Sequence, residues 1–206
     1  MTEENYNYRT SQTLLRNQFP GKGKLKIPII PKFEAKAGDF DDLLLIGFDK
    51  THLEDNNHLN RMVHFFLYDY RFERVWKNPD NDIEKLSRYR AVLSPDFSMY
   101  LEMAPVMQLY NVFRNRWCGA YWASKGMRVI PTVNWGDEST FDFCFQVSRK
   151  AAPLLFQPTW RPSMTTAKTK KAGSWRATMK CYAKLNRNGL SATTPLFPKW
   201  KETSCM

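Results

Sequence analysis

The 206 residues include 43% hydrophobic and 15% aromatic side chains, a prior for one domain with a sizeable core. No apolar run reaches the roughly 18 residues of a membrane span, and the acidic start Met1-Thr2-Glu3-Glu4-Asn5 does not read as a signal peptide. The net charge of +11 describes a tail and not the whole chain, because residues 148–206 hold 12 Lys+Arg against one acid, Glu202, while residues 1–147 are neutral.

Residues 1–42 read as an N-terminal arm. Phe19-Pro20-Gly21-Lys22-Gly23-Lys24 is turn material. The prolines of Ile27-Pro28-Ile29-Ile30-Pro31 exclude a central strand, so the arm is expected to lay its apolar residues over one end of a domain. Leu43-Leu44-Leu45-Ile46-Gly47-Phe48 is a short apolar run closed by Asp49-Lys50-Thr51. A run of this kind fits a strand buried on both faces. Val63-His64-Phe65-Phe66-Leu67-Tyr68 is a second, ending at Asp69-Tyr70-Arg71.

Asn78-Pro79-Asp80-Asn81-Asp82 predicts a helix start, with a capping Asn, Pro at the first position and acids in the first turn. Ile83 and Leu86 continue at helical spacing. Ala91-Val92-Leu93 predicts a third strand, ending at Ser94-Pro95-Asp96. From Pro105, the residues Val106, Leu109, Tyr110, Phe113, Trp117, Ala120 and Tyr121 form one apolar stripe at period 3.6, stopped by Gly126. Gln108, Asn111, Arg114 and Asn115 fall outside that stripe. Residues 128–132 predict a fourth strand, followed by Asn134-Trp135-Gly136-Asp137. The segment Ser139 to Phe145 fits either a helix or a strand of alternating phenylalanines. Strands alternating with helices indicate an α/β fold with a largely parallel sheet, in residues 43–146. No G-x-G-x-x-G, P-loop, G-x-S-x-G or H-E-x-x-H motif occurs.

Several words in fixed order carry a family resemblance. They are Phe48-Asp49; His64 to Trp76; Val92-Leu93-Ser94-Pro95-Asp96-Phe97-Ser98; Tyr110 to Arg116; Gly126 to Thr132; Trp135; and Ser139 to Phe145. The stretch from Leu44 to Gln146 resembles the bacterial, archaeal and phage family called domain of unknown function 4417. The resemblance implies a fold and supplies no reaction. In that family Phe145 is usually followed by a Gly-Ile turn, a strand of the form V-A-V-S-T, a helix and a last strand near I-C-Y. Here Val147-Ser148-Arg149-Lys150 follows instead. Loss of one base from a run of G after the codon for Gln146 accounts for the difference. Reading one nucleotide earlier then permits GIEKGSTVAVST across Val147 to Pro158, and GWFMAGYNEMLRKIEPERLICY over the codons from Lys171 to Thr193. Met179 has a single codon, so its last base before Lys180 forces the Glu of the second word. Residues 147–206 are therefore expected to be a frame-shifted, basic, irregular tail, with Trp160 and Trp175 loosely placed.

Four strands each end in a polar cluster: Asp49 and Lys50; Asp69, Arg71 and Glu73; Ser94 and Asp96; Asn134, Trp135, Asp137 and Glu138. In parallel α/β folds, ligands bind at the carboxyl ends of strands, where loops converge. Asp49, Asp69 and Asp96, with Arg71 neutralising part of their charge and Glu73, Trp135 and Asp137 nearby, are the candidate site. Converging carboxylates and an Arg suit a phosphorylated ligand, a divalent metal or acid–base work. The competing reading makes Asp96 and Asp137 helix caps and Arg71–Glu73 a structural ion pair. Arg114 and Arg116, which flank Asn115 beside Trp117, form a basic and aromatic cluster of the kind that can bind phosphate or a base, and the favoured reading is a solvated helix face. The histidines His52, His58 and His64 are spaced by six, which does not suit a helical zinc site. Four cysteines without C-x-x-C spacing argue against a zinc ribbon or redox motif and indicate a reduced, cytoplasmic protein. Lys168, Lys170 and Lys171 would attract nucleic acid without sequence preference. Two function classes follow: an enzyme with an acidic site at the strand ends, or a noncatalytic binding or regulatory module.

Overall fold

The apolar runs pair side by side. A computed structural model of the chain describes residues 3–32, 43–145 and 155–156. Within it, the strands β3 (Leu44–Gly47), β4 (Arg61–His64), β5 (Ala91–Leu93) and β6 (Val129–Ile130) form one sheet in that order. Every neighbouring pair is parallel. Pro131 has no N–H to give a ladder, and at this residue the chain changes partners. Beyond it β7 (Thr132–Val133) pairs in parallel with β8 (Leu155–Phe156). The inner strands are buried on both faces, as the apolar runs imply: Val63, Val92 and Val129 lie in one cluster and Met62, Ala91, Leu93 and Ile130 in another, while the edge strand β3 is only partly covered and leaves Leu44 exposed.

Three expectations shift. The second strand begins at Arg61 and ends at His64, earlier than the apolar run from Val63 to Tyr68 suggests. Phe65 leaves the ladder to stack on Phe48 and Trp122, with centroids 5.0 and 5.4 Å away. Asn78 to Asp82 is a turn, and the helix α4 starts only at Ile83 and runs to Ser87. Asp82 caps nothing with its side chain, because Arg74 and Lys85 hold it at 2.9 Å each. Residues 138–145 resolve as a 3-10 turn, Glu138–Thr140, followed by the short helix α6 (Phe141–Cys144). The crossovers are also unequal. The first holds only 3-10 turns, the second the short helices α3 (Arg74–Lys77) and α4, and the third the long helix α5 (Pro105–Ser124).

The bounds of α5 are those its punctuation predicts. Pro105 occupies the first turn, and Gly126 at φ +82 closes the helix while the Met127 amide donates to the Trp122 carbonyl. Its buried side departs from the sequence reading. Trp117 is buried as expected, but Val106 and Tyr110 are exposed, and Leu109 and Phe113 are half-buried. Gln108, Asn111, Arg114, Asn115 and Arg116 are buried instead. Most of their polar groups bond to the protein, while Gln108 Oε1 and Arg114 Nε are buried without a hydrogen-bond partner among the described residues. The Gln108 amide donates to the carbonyls of Tyr100 and Met103, that of Asn115 to Pro95 and Thr132, and Arg116 to Thr132 and Cys144. Bonded this way, polar groups can be buried without a large desolvation penalty.

The arm closes over the other side of α5. It consists of the helices α1 (Glu3–Arg9) and α2 (Gln12–Leu15) and the antiparallel two-residue strands β1 (Gly21–Lys22) and β2 (Ile27–Pro28). Ile30 packs against Gly119, where a Cβ would collide with it. The Arg16 guanidinium sits 4.4 Å from the Trp76 ring and 4.1 Å from the Trp117 ring and donates to the Trp76 carbonyl at 3.0 Å. Phe19 meets Trp117 edge-on at 5.8 Å, and Tyr121 stacks on Trp117 at 5.0 Å.

Candidate functional site

Parallel pairing brings the ends of β3, β4 and β5 to one edge, and the loops after them carry the predicted acids. Asp49 lies in a 3-10 turn directly after β3, and Asp69 opens another after β4. Asp49 pairs with Arg71, an ion pair between partly exposed side chains. Arg71 also donates to the Tyr70 hydroxyl at 3.4 Å. Asp69 accepts from the Ser98 hydroxyl at 2.8 Å and from the Ser98 amide at 3.2 Å.

Asp96 caps no helix. Its residue is 5% exposed and its Oδ1 has no hydrogen-bond partner. Burial first, and then the neighbouring Asp69 carboxylate, push its acid up to about 8. Burial thus favours the neutral form of Asp96 beside the hydrogen-bonded Asp69 side chain, two neighbouring acids in unlike environments.

Glu73 does not pair with Arg71. It takes Arg114 through both carboxylate oxygens at 2.9 Å. Arg114 lies 3.9 Å from the Phe97 ring and donates to the Asn111 carboxamide oxygen, while the Asn111 amide group donates to the Ser98 carbonyl. A polar chain therefore runs from Glu73 through Arg114, Asn111 and Ser98 to Asp69. Beside it, Ser94 donates to Asn115 at 2.9 Å and receives the Thr132 amide at 2.8 Å, and Asn134 donates to the Phe97 carbonyl at 2.8 Å.

Trp135 and Asp137 stand apart from these groups. Trp135 packs with Phe141 and Phe145 in a separate cluster. Asp137 accepts from the amide and hydroxyl of Ser139 and caps the 3-10 turn, so for this residue the capping reading holds.

Where β3 and the 3-10 turn at Asp69–Arg71 meet, a cavity of about 330 Å³ opens, lined by Phe48, Asp49, Thr51, Tyr70, Arg71, Arg74 and Lys85. Arg74 and Lys85 flank the Phe48 ring, at 4.9 and 4.6 Å from its centroid. Three cations thus face one opening, against the two carboxylates Asp49 and Asp82. The sequence reading missed Arg74, Lys85, Ser98 and the buried Arg114. The signal for the last lay in the amides Gln108, Asn111 and Asn115, which repeat at helical spacing.

His64 lies at the end of β4 and stacks on Phe66 at 5.1 Å. Burial holds its pKa below the usual value, with Asp49 opposing. Among the described residues no group of three or more His, Cys, Asp or Glu is placed to hold a metal ion. The described Cys118 and Cys144 are both buried. Among the described residues no helix is long and apolar enough to cross a membrane. Lys168, Lys170, Lys171, Trp160 and Trp175 lie outside the described residues.

A parallel sheet whose loops gather charged side chains at its carboxyl edge defines an α/β protein of uncharacterised activity. The family model for a domain of unknown function, DUF4417, matches residues 22–153, and the chain belongs to that family. It is similar to the Gene 1 protein of Mycobacterium phage L5, at 52% identity over 132 residues, 64% of this chain and 56% of that protein. It is also similar to the Gene 1 protein of Mycobacterium phage D29, at 49% identity over 83 residues, 40% of this chain and 31% of that protein. The matches span 56% and 31% of those relatives' lengths. No solved structure matches the chain.

Proposed function

We propose that this protein is a cytoplasmic ligand-binding α/β domain that takes a phosphorylated ligand at the carboxyl edge of its sheet. The observation that carries this reading is the convergence of Arg71, Arg74 and Lys85 on one cavity where β3 ends. Guanidinium groups match phosphate oxygens in charge and in fork geometry. The Asp69–Ser98 bonds and the Glu73–Arg114 pair brace the segment that carries Tyr70 and Arg71. Lys168, Lys170 and Lys171 add only sequence-independent attraction for polyanions.

Tripolyphosphate, titrated calorimetrically into the full chain, is expected to bind at one saturable site. Arg71 is the residue to change, because among the described residues its carboxylate partner is the partly exposed Asp49, so the fold should tolerate the loss. Arg71→Ala is expected to weaken that site about tenfold, the worth of one charge-assisted contact, with an unchanged melting temperature. Equal binding by the variant would remove Arg71 from the site, and no saturable binding at all would end this reading.

We also propose that residues after Gln146 are read in a slipped frame. In the earlier frame the V-A-V-S-T word falls on residues 154–158. Leu155–Phe156 pairs with β7 in a two-stranded sheet separate from the main one, at the position where the family strand is expected. A parallel sheet short of its last strand exposes backbone groups and apolar surface. Restoring one base after codon 146 is expected to raise soluble yield severalfold at equal expression. An unchanged yield would mark the tail as native.

A further inference from the structure

We propose that the ligand is a nucleotide, its base stacked on the Tyr68–Tyr70 pair and its phosphates held by Arg71, Arg74 and Lys85. This rests on the phosphate reading above and adds the base. Tyr68 and Tyr70 lie either side of Asp69, and their rings stack at 6.0 Å with 12° between planes. They are 53% and 74% exposed. The stack of Phe65 on Trp122, by contrast, lies inside the core. Both rings of the Tyr68–Tyr70 pair are largely exposed, so a base can reach them.

Tyr70 also lines the cationic cavity, and the Arg71 guanidinium is 5.9 Å from its ring. One residue therefore joins an aromatic platform to a phosphate-sized cationic opening. A flat π-face beside a cationic groove is the arrangement that binds bases without reading their edges. The shared chemistry is base plus phosphate, and it comes either from a free nucleotide or from a single strand.

The test compares four probes on the full chain: tripolyphosphate, ATP, adenosine and a short oligothymidine strand. ATP is expected to bind about tenfold more tightly than tripolyphosphate, the increment of one stacked base. Tyr70→Ala should erase the ATP increment over tripolyphosphate measured on the same variant, and Tyr70→Phe should keep that increment. Tight strand binding that loses its increment in Tyr70→Ala assigns the site to single-stranded nucleic acid. Tighter ATP than strand assigns it to free nucleotide. Equal affinities for ATP and tripolyphosphate, or a Tyr70→Ala loss shared by both, would overturn the base platform while leaving the phosphate site standing. Failure of both phosphate probes to bind would instead overturn the phosphate site, and the platform with it.

Discussion

Asp96→Asn is expected to stabilise the protein above about pH 8 and to change it little below about pH 4, where the wild-type acid takes up its proton in both states. The sign follows from where the proton is held. An aspartate in the unfolded chain titrates near 3.9, whereas burial and Asp69 push the folded acid up to about 8. Between those values the folded state binds the additional proton. Stability from this group is therefore fully present below about pH 4 and is lost as pH rises through about 8. The Asn side chain has the shape of the neutral acid and no charge to desolvate. Melting curves of both proteins across this range should diverge with pH, with the variant ahead by at least about 3 °C at the alkaline end. That is the shift roughly 1 kcal/mol produces in a chain of this size. Parallel pH profiles would mean that Asp96 ionises freely, and the acid–carboxylate pair would then lose its chemical meaning.

Trp117→Ala is the substitution with the largest expected cost, about 3–5 kcal/mol in urea-unfolding free energy. Trp117 is buried at 1% exposure and meets Phe19, Trp76, Tyr121 and the Arg16 guanidinium. The loss has a place as well as a size. Arg16 and Phe19 belong to the arm, so proteolysis of the variant under native conditions should begin in residues 10–32. A cost under about 1.5 kcal/mol, or cleavage that starts elsewhere, would show that the arm is held by Ile27 and Ile30 and not by Trp117.

The sheet was legible because its inner strands are buried on both faces, which turns each into an unbroken apolar run. The same signal misplaced β4. Phe65 is as buried as Val63, yet it leaves the ladder to enter the aromatic core, and hydropathy records burial without recording extension. The ends of α5 were legible from Pro105 and Gly126. Its buried face was not, because Asn111, Asn115 and Arg116 are satisfied by carbonyls that the sequence brings no nearer than other loops. The acids at the strand ends were visible and their partners were not. Asp49 finds Arg71 and Glu73 finds Arg114 across 22 and 41 residues, and no local pattern encodes a pairing at that range. Asp82 shows the same limit from the other side, since its two cations take it from the capping role its position suggests.

The inverted face of α5 also sets how this domain can evolve. A helix packed by hydrocarbon tolerates exchange among Leu, Ile and Met, because volume is all its surroundings ask. Here the surroundings ask for donors at fixed points: Gln108 for the carbonyls of Tyr100 and Met103, Asn115 for those of Pro95 and Thr132, and Arg116 for those of Thr132 and Cys144. Drift is therefore freest along Val106, Met107 and Tyr110, which look like core, and most constrained along the row that looks like surface. A designer who repaired this helix by hydropathy would polish the side facing water and cut the threads that tie three loops to the sheet.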